Sequence, residues 1–371
     1  MRTTLLAGIA EGSLSAQQAT EELMRQTLAA VAPGTELRDG LERVLRGGTG
    51  ALIVLGTSST VESISTGGFP IDVEFTGTRL RELAKMDGAV ILDRRARTIL
   101  KAGVQLHPAP SIPTRESGTR HRTAERVAKQ TGFPVITVSQ SMQIVQLYVH
   151  DRRHVLENTT KILAHANQAL DTLERYKTRL DEVTDALTAL EIAGRATAAD
   201  VLQVAQRQEM VRRISAEISS YIIELGTDGR LLTLQHEELV GGFSTARTLL
   251  IRDYLGQLPR QHSVEGVKAI LASLDSSELV DVAAVARALG IPATAETLDA
   301  AVSPRGYRFL QRVRRVPEAV MERVVEHFDD FQTLLRAGLE ELRVIEGVGE
   351  YRARLISEGI TRLAWHDAER F

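Results

Sequence analysis

The chain has 371 residues, of which 43% are hydrophobic and 25% are charged, and its formal net charge is −3. These proportions are those of a soluble globular protein, and the length indicates two or three domains rather than a single core. The small negative net charge excludes a global positive field, so any contact with nucleic acid must come from a local patch. The absence of cysteine excludes disulfides, thiolate catalysis and zinc–cysteine sites.

The sequence has no feature typical of a membrane or secretory segment. Its apolar runs fall short of the roughly 18 residues that a transmembrane helix needs. Residues 1–10 carry one arginine and a short apolar stretch, and the polar pair Glu11-Gly12 follows at once, which matches a signal peptide poorly. We therefore expect a cytoplasmic protein with no membrane partner.

Residues 1–150 alternate between strand and helix patterns. Short apolar runs bounded by turn residues predict buried strands at 51–55, 89–92, 98–106, 134–138 and 144–149. Amphipathic stretches predict intervening helices at 37–45, 78–85 and 120–130. The short links 93–96 and 139–143 favour hairpins. The sequence thus predicts an α/β N-terminal domain, a mixed sheet flanked by helices.

Two further domains are predicted to be all-α. In residues 151–300, apolar residues recur at three- and four-residue steps, and glycine and proline are nearly absent before Gly194. This pattern favours a helical spine, whereas the heptad register is too short-lived for a sustained coiled coil. Residues 301–371 predict a domain of short-looped helices, with Pro317 suited to a first helical turn.

The first candidate site is the tripeptide Asp87-Gly88-Ala89 at the start of a predicted strand. Gly88 has no side chain, so its backbone can approach a ligand closely. The Asp87 carboxylate at a strand end suits a magnesium or manganese ion. By itself, the tripeptide is a weak signal and is more often only a turn that precedes a strand.

The second candidate site is the segment 117–123, Ser-Gly-Thr-Arg-His-Arg-Thr, directly before an amphipathic helix. A glycine-containing loop that enters a helix presents unpaired N–H groups and the positive end of the helix dipole. Arg120 and Arg122 add donors suited to phosphate oxygens. The segment indicates a polyphosphate site, and a solvated helix start is the alternative. Because no P-loop motif is present, a Walker-type NTPase is disfavoured.

Together the two segments resemble the catalytic domain of diadenylate cyclases, a family with a D-G-A motif followed by an R-H-R motif. Here the motifs are Asp87-Gly88-Ala89 and Arg120-His121-Arg122, and the stretches 103–106 and 138–140 also resemble the family. The resemblance implies condensation of two ATP molecules into cyclic di-AMP with Mg²⁺ or Mn²⁺ as cofactor. It implies catalytic roles for Asp87, as the metal ligand, and for Arg120 and Arg122. The implied nucleotide contacts are Gly88, Ala89, Leu106, Thr119, Arg120, His121, Arg122, Thr123 and Ser139.

A third candidate site lies in residues 342–356, which resemble the helix-hairpin-helix motif of DNA repair proteins. Gly347 and Gly349 allow a tight turn whose N–H groups suit a DNA phosphate, helped by the dipole of the following helix. Val348 is expected to pack in the hairpin core, and Arg352 and Arg354 to add phosphate contacts, so the expected DNA-binding residues are Gly347, Val348, Gly349, Arg352 and Arg354. The acid Glu346 departs from the usual pattern and weakens the expected affinity. A glycine-linked helix pair that serves only packing is the alternative.

The order of cyclase domain, helical spine and hairpin resembles the DNA-integrity-scanning branch of the diadenylate cyclase family over essentially the whole chain. The resemblance implies a homo-octamer with facing cyclase domains, and branched DNA that suppresses cyclisation. An arginine cluster at 305–315 fits either the DNA face or a solvated helix face. Two other functions stay open: a DNA-binding repair protein whose head senses nucleotide without cyclising it, and an ordinary nucleotidyltransferase that modifies another substrate.

Overall fold

The structure, a computed structural model, describes residues 17–259, 261–313, 315–328 and 330–368. The N-terminal decapeptide discussed above and Arg314 lie outside these ranges. The chain divides into two compact units, the first with residues up to Gln168 and Ile218–Leu234, the second with Ala169–Glu217 and Gln235 onward. Within the described ranges, no helix is long and apolar enough to span a membrane.

The first unit contains an eight-stranded mixed sheet. In chain order its elements are α1 (17–30), α2 (Glu36–Arg46), β1 (Ala51–Leu55), α3 (Ser59–Ser63), β2 (Ser65–Thr66), β3 (Phe69–Glu74), α4 (Gly77–Leu83), β4 (Ala89–Leu92), β5 (Thr98–Leu106), α5 (Thr119–Thr131), β6 (Val135–Ser139), β7 (Ile144–Val149) and β8 (Arg152–Val155). The strand order is β2-β5-β4-β1-β6-β7-β8, and β3 pairs with β5. Only β1 and β4 pair in parallel; the other pairs are antiparallel.

Helices cover both faces of this sheet, so its central strands are buried throughout. Alternate side chains of a strand point to opposite faces, and β1 follows this rule: Ile53 packs in one hydrophobic cluster and Val54 in another. The first cluster includes Leu41 of α2 and Leu80 of α4, and the second includes Val127 of α5. The predicted α/β class is therefore confirmed, as a helix–sheet–helix sandwich.

Three strands were missing from the sequence-based prediction. Most side chains of β3 are exposed, β2 has only two residues, and β8 is a polar edge strand of sequence Arg-Arg-His-Val. Backbone hydrogen bonds hold these strands, and their apolar signal is weak: Ile71 and Val73 of β3 are only partly buried against the core. The sheet thereby continues through Val155, five residues past the expected boundary at residue 150.

The rest of the chain is helical, which confirms the second part of the predicted fold class. The helices are α6 (Thr159–Ile192), α7 (Ala198–Leu225), α8 (Arg230–Val240), α9 (Phe243–Tyr254), α10 (Val264–Ser273), α11 (Ser276–Val280), α12 (Val282–Ala288), α13 (Ala295–Leu298), α14 (Tyr307–Arg312), α15 (Glu318–His327), α16 (Phe331–Arg336), α17 (Leu339–Arg343) and α18 (Glu350–Ala368). Helices α14 to α18 share a hydrophobic core that includes Phe309, Val324, Phe331 and Ile356. This core lies in the part of the chain, residues 301–371, where the sequence predicts short-looped helices.

Candidate nucleotide site and DNA-binding hairpin

One edge of the sheet collects the ends of four neighbouring strands. The parallel strands β1 and β4 both begin there, since Ile53 lies opposite Val90. The antiparallel neighbours β5 and β6 end there, at Leu106 and Ser139. Asp87 and Gly88, which directly precede β4, therefore lie on the same edge as Leu106 and Ser139.

The backbone at Gly88 is held tightly against the neighbouring strand. Its φ of +106° is a conformation that side chains rarely adopt, and a Cβ atom there would lie 2.7 Å from the carbonyl carbon of Gly103 and 2.8 Å from the oxygen of Val104. Asp87 is exposed, and its two oxygens lie 3.1 Å from the Gly88 nitrogen and 3.4 Å from Nε2 of Gln105. The close packing of Gly88 thus fixes the carboxylate of Asp87 at the sheet edge, exposed to solvent.

The N-terminus of α5 reaches the same edge. Its first helical hydrogen bond joins the Arg122 nitrogen to the Gly118 oxygen at 2.9 Å, so the N–H groups of residues 119–121 precede the helical ladder. Gly118 occupies the N-cap position without a side-chain cap, and the first turn has no acid. The guanidinium of Arg120 lies against Gly50, where a Cβ atom would be 2.1 Å from Nη1. Since Gly50 precedes β1, this contact places the helix start beside the strand ends.

Two acids close to α5 are already paired with bases. Glu116 accepts from Nη1 of Arg153 at 2.9 Å, and the buried Glu125 accepts from Nζ of Lys129 at 2.6 Å and from Oγ1 of Thr114. The Arg120 and Arg122 side chains are exposed at the helix start. The unpaired N–H groups, the helix dipole and the two guanidinium groups make this a site that favours polyanions.

His121 differs from its two arginine neighbours because its side chain is buried. Its Nδ1 lies 3.0 Å from Oγ1 of Thr137 and 3.2 Å from the hydroxyl of Tyr148, which donates to Gln146 at 2.9 Å. Burial, with a smaller contribution from Arg120, lowers the pKa of His121, so the ring is neutral at pH 7. The ring anchors the helix start to β6 and β7, and only its backbone N–H belongs to the group at the helix N-terminus.

The remaining expected nucleotide contacts divide into two groups. Thr119 is exposed and Thr123 is half-buried on the first turn of α5. Ala89 and Leu106 are buried in the sheet, and Ser139 is buried at the end of β6, with its Oγ 3.3 Å from the Met142 nitrogen. The structure therefore brings the expected residues to one edge, while contact through the buried ones is limited to their backbone or to the tip of the side chain.

Sequence reasoning did not find several residues that shape this edge. Gly50 accommodates Arg120, Gln105 contacts Asp87, and Thr137 with Tyr148 holds His121. Gly50 at the start of a buried strand was the only one with a local signal. The others depend on contacts between elements 16 to 27 residues apart: Gln105 reaches Asp87 from the neighbouring strand, and Thr137 and Tyr148 reach His121 where α5 packs on the sheet.

No cluster of three or more His, Cys, Asp or Glu side chains that could hold a metal ion occurs in the part of the chain that the structure describes. An ion at this edge would have Asp87 as its carboxylate ligand. Mg²⁺ is commonly bound by one or two carboxylates together with substrate phosphates and water. The exposed Asp87 therefore fits a cation that arrives with a nucleotide.

The C-terminal hairpin has the geometry expected from its glycines. Gly347 has a φ of +82°, and the Val348 side chain is buried in the same core as Ile356. Arg323 of α15 donates from Nη1 to the backbone carbonyl oxygen of Glu346 at 2.9 Å and lies against Gly347. Helix α18 begins directly after Gly349, with the Ala353 nitrogen bonded to the Gly349 oxygen at 2.9 Å.

The arginines expected to contact DNA both have partners within the protein. Arg352 donates from Nη1 to the Gly347 oxygen at 2.8 Å, and Arg354 lies 3.5 Å from Glu350. Both side chains are exposed. The interpretation of the cluster at 305–315 is wrong for Arg308, whose side chain is 12% exposed and paired with two acids.

Comparison with known proteins identifies the family. Residues 38–153 match the model described as "DisA bacterial checkpoint controller nucleotide-binding", and residues 156–298 match the "DisA bacterial checkpoint controller linker region". Relatives named "DNA integrity scanning protein DisA" are 60% identical in Kineococcus radiotolerans, over 93% of this chain and 96% of the relative, and 57% identical in Streptomyces coelicolor, over 96% of each. The relative of that name in Parafrankia sp. is 57% identical over 93% of this chain and 96% of its own. The chain therefore belongs to the family of DNA integrity scanning proteins DisA.

Proposed function

We propose that this chain is a diadenylate cyclase that converts two ATP molecules into one cyclic di-AMP and two pyrophosphates, and that its C-terminal hairpin binds DNA. The observation that carries the cyclase proposal is the sheet edge where the exposed Asp87 shares one surface with the arginine-bearing, acid-free N-terminus of α5. A carboxylate and a polyphosphate site on one surface are what attack by a hydroxyl on an α-phosphorus requires. The family, with its nucleotide-binding model over residues 38–153, supports this assignment.

In the proposed reaction, the 3′-hydroxyl of each ATP attacks the α-phosphorus of the other, and pyrophosphate leaves. Each N-terminal domain holds one ATP, so the N-terminal domains of two chains must face each other. This agrees with the octamer that the resemblance implies. Little covalent chemistry falls to the protein, and catalysis consists of positioning and charge neutralisation.

The residues divide between these two tasks. Asp87 is fixed by the tight backbone at Gly88; it would hold the Mg²⁺ or Mn²⁺ ion beside the 3′-hydroxyl. When bound, this cation neutralises charge on the phosphate oxygens and favours ionisation of the hydroxyl. Arg120 and Arg122 and the free N–H groups of α5 hold the phosphates, and His121 anchors this helix start to the sheet. The same charges that bind the triphosphate stabilise the leaving pyrophosphate.

Two carboxylate substitutions separate catalysis from binding. With ATP and Mg²⁺, Asp87→Asn should lower pyrophosphate release by about 10²-fold or more, and it should still bind ATP in calorimetric titration without metal. Asp151→Asn is the matched control, because Asp151 is an exposed carboxylate in the β7–β8 turn at the opposite edge of the sheet. Equal activity of Asp87→Asn and the wild type would refute the assigned role. Tight ATP binding without turnover by the wild type would favour the nucleotide-sensing head.

The DNA proposal rests on the hairpin. Its glycines expose backbone N–H groups at the start of the 19-residue α18, and Arg352 and Arg354 lie exposed beside them. Phosphate contacts of this kind are independent of base sequence and weaken as salt rises. The nearby acids Glu346 and Glu350 reduce the affinity of a single hairpin for DNA. We therefore expect a preference for branched DNA, because its duplexes can contact more than one hairpin of an oligomer at the same time.

Fluorescence anisotropy with a four-way junction and a linear duplex of equal length tests this proposal. The double variant Arg352→Ala/Arg354→Ala should lose about tenfold or more in affinity for both DNAs. Arg287→Ala, at an exposed arginine of α12 that pairs with Asp281, should bind like the wild type. Unchanged affinity in the double variant would exclude this hairpin as the DNA site. Junction DNA added to the cyclase assay measures whether DNA suppresses turnover.

A further inference from the structure

A cavity of about 410 Å³ lies within the second unit, and its lining includes no residue of the sheet edge or the hairpin described above. Its walls come from the start of α7, the end of α9 and the segments 255–259, 289–292 and 300–302. This volume is within the range of small-molecule sites, which is about 300–1,000 Å³. No function considered above uses this space.

The lining of the cavity is apolar and uncharged. Most of it consists of aliphatic side chains such as Val201, Leu202 and Ile251, and none of the described residues in the lining is acidic or basic. The side chains with polar atoms are Tyr254, Gln257 and Thr297, and each already donates a hydrogen bond within the protein, to Glu191, Ser303 and Pro292 respectively. A charged ligand would lose its hydration here without gaining a partner.

We propose that this cavity binds a neutral, apolar small molecule of up to three aromatic rings, or a short aliphatic chain of similar size. An apolar cavity of about 150 Å³ stays dry and takes up benzene, and this cavity is more than twice as large. The uncharged wall selects against nucleotides and metal ions, so the site is distinct from the one at the sheet edge.

The wall of the cavity is also part of the attachment of the last five helices. Tyr254 lines the cavity while its hydroxyl donates to Glu191, and the adjacent Asp253 accepts hydrogen bonds from the backbone at the start of α14. On the other wall, residue 301 forms a β-bridge with Thr197 just before the segment that leads into α14. A bound molecule thus contacts both connections to the hairpin-bearing helices and should stabilise the folded helical unit.

Titration of the full-length protein with N-phenyl-1-naphthylamine, a neutral dye whose emission rises in apolar surroundings, tests the site. We expect saturable binding of one dye per chain and a higher melting temperature at saturation. Ala198→Phe fills the cavity from α7 and should weaken binding at least tenfold, whereas Ala272→Phe, on an exposed face of α10, should leave it unchanged.

Circular dichroism decides whether the variants are folded. If Ala198→Phe is not, Ala205→Leu, a smaller substitution in the same wall, should weaken dye binding severalfold. The absence of saturable binding to the wild type would overturn the proposal. So would equal affinity in the wild type and a folded cavity-filling variant, since the dye would then bind elsewhere. Neither result depends on cyclase activity.

Discussion

The two units of the molecule bury charged side chains to different degrees: Glu125 of the sheet unit is 7% exposed, and three acids of the helical unit are buried more deeply. In the sheet unit, the core is apolar and the candidate chemical groups lie at an exposed edge, as with Asp87 and Arg120. In the helical unit, Glu191, Glu209 and Asp253 are each at most 1% exposed. Charges that act on a substrate must remain accessible to it, whereas these three acids are enclosed by the packing of the helices.

The buried charges of the helical unit form two clusters. Arg308 lies between Glu191 and Asp253, and Asp253 also accepts from the backbone nitrogens of residues 306 and 307 at 2.9 and 2.7 Å. Glu209 accepts from three arginines: Arg212, Arg213 and Arg247. Such clusters join helices that are far apart in sequence, and their geometry tolerates few alternative packings.

The largest expected effect is the loss of the arginine that two buried acids share. Arg308→Met leaves Glu191 and Asp253 without their cation, and we expect it to lower the free energy of unfolding by about 3–5 kcal/mol. Arg287→Met, which breaks only the exposed pair with Asp281, should cost about 1 kcal/mol or less. Urea denaturation measures both, and equal losses would contradict the contrast between buried and exposed charge.

The second prediction concerns pH. Burial raises the pKa of the Glu191 carboxyl from its ordinary 4.5 to about 7. Between these values the folded protein keeps a proton that the unfolded chain releases, so this contribution is complete below about pH 4.5 and is lost as pH rises through 7. Its size is up to about 3 kcal/mol. Glu191→Gln should therefore flatten the decline in stability between about pH 4.5 and 7, whereas Glu238→Gln, at an exposed site on α8, should retain it.

The third prediction concerns Gly88 at the sheet edge. Gly88→Ala introduces a Cβ atom 2.7–2.9 Å from backbone atoms of β5, at a φ of +106°. We expect a loss of about 1–3 kcal/mol in the free energy of unfolding, because the backbone must shift. Since the shift displaces Asp87, turnover of ATP should fall even under conditions in which the Gly88→Ala protein is fully folded. Wild-type turnover in a stably folded Gly88→Ala protein would contradict the role given to this turn.

The smallest expected change in stability comes from Gly50→Ala, directly before β1. At Gly50 the new Cβ atom meets only the mobile end of Arg120, 2.1 Å from Nη1. The side chain can move aside, so Gly50→Ala should change the free energy of unfolding by about 0.5 kcal/mol or less. The displaced guanidinium should raise KM for ATP several-fold. Steady-state kinetics beside a melting curve separates the two effects, and an unchanged KM would remove Arg120 from the phosphate site.

The sequence was sufficient where burial and local structure agree. Five apolar runs predicted the strands that are buried, among them β1 and β4. It failed where backbone pairing alone decides, as in β8. The two motifs at Asp87 and Arg120 could be found from residue type, but their closeness depends on the register of four strands.

The buried clusters could not be predicted from the sequence. In the sequence, Glu191, Asp253 and Arg308 cannot be distinguished from the other polar residues of amphipathic helices. Such residues are mostly exposed in folded proteins. Only the packing of α6, α9 and α14 brings them together. This explains why the arginine segment 305–315 was interpreted as a DNA face or a solvated face.

As a diadenylate cyclase, the sheet edge joins two ATP molecules to each other and needs no further substrate. The direct measurement is mass spectrometry of the products after the purified full-length protein is incubated with ATP and Mg²⁺ or Mn²⁺ as the only additions. We predict cyclic di-AMP with two pyrophosphates for each molecule formed, and no product from Asp87→Asn. Unchanged ATP with both metals, with and without DNA, or adenylate transferred only to an added acceptor, would contradict the account.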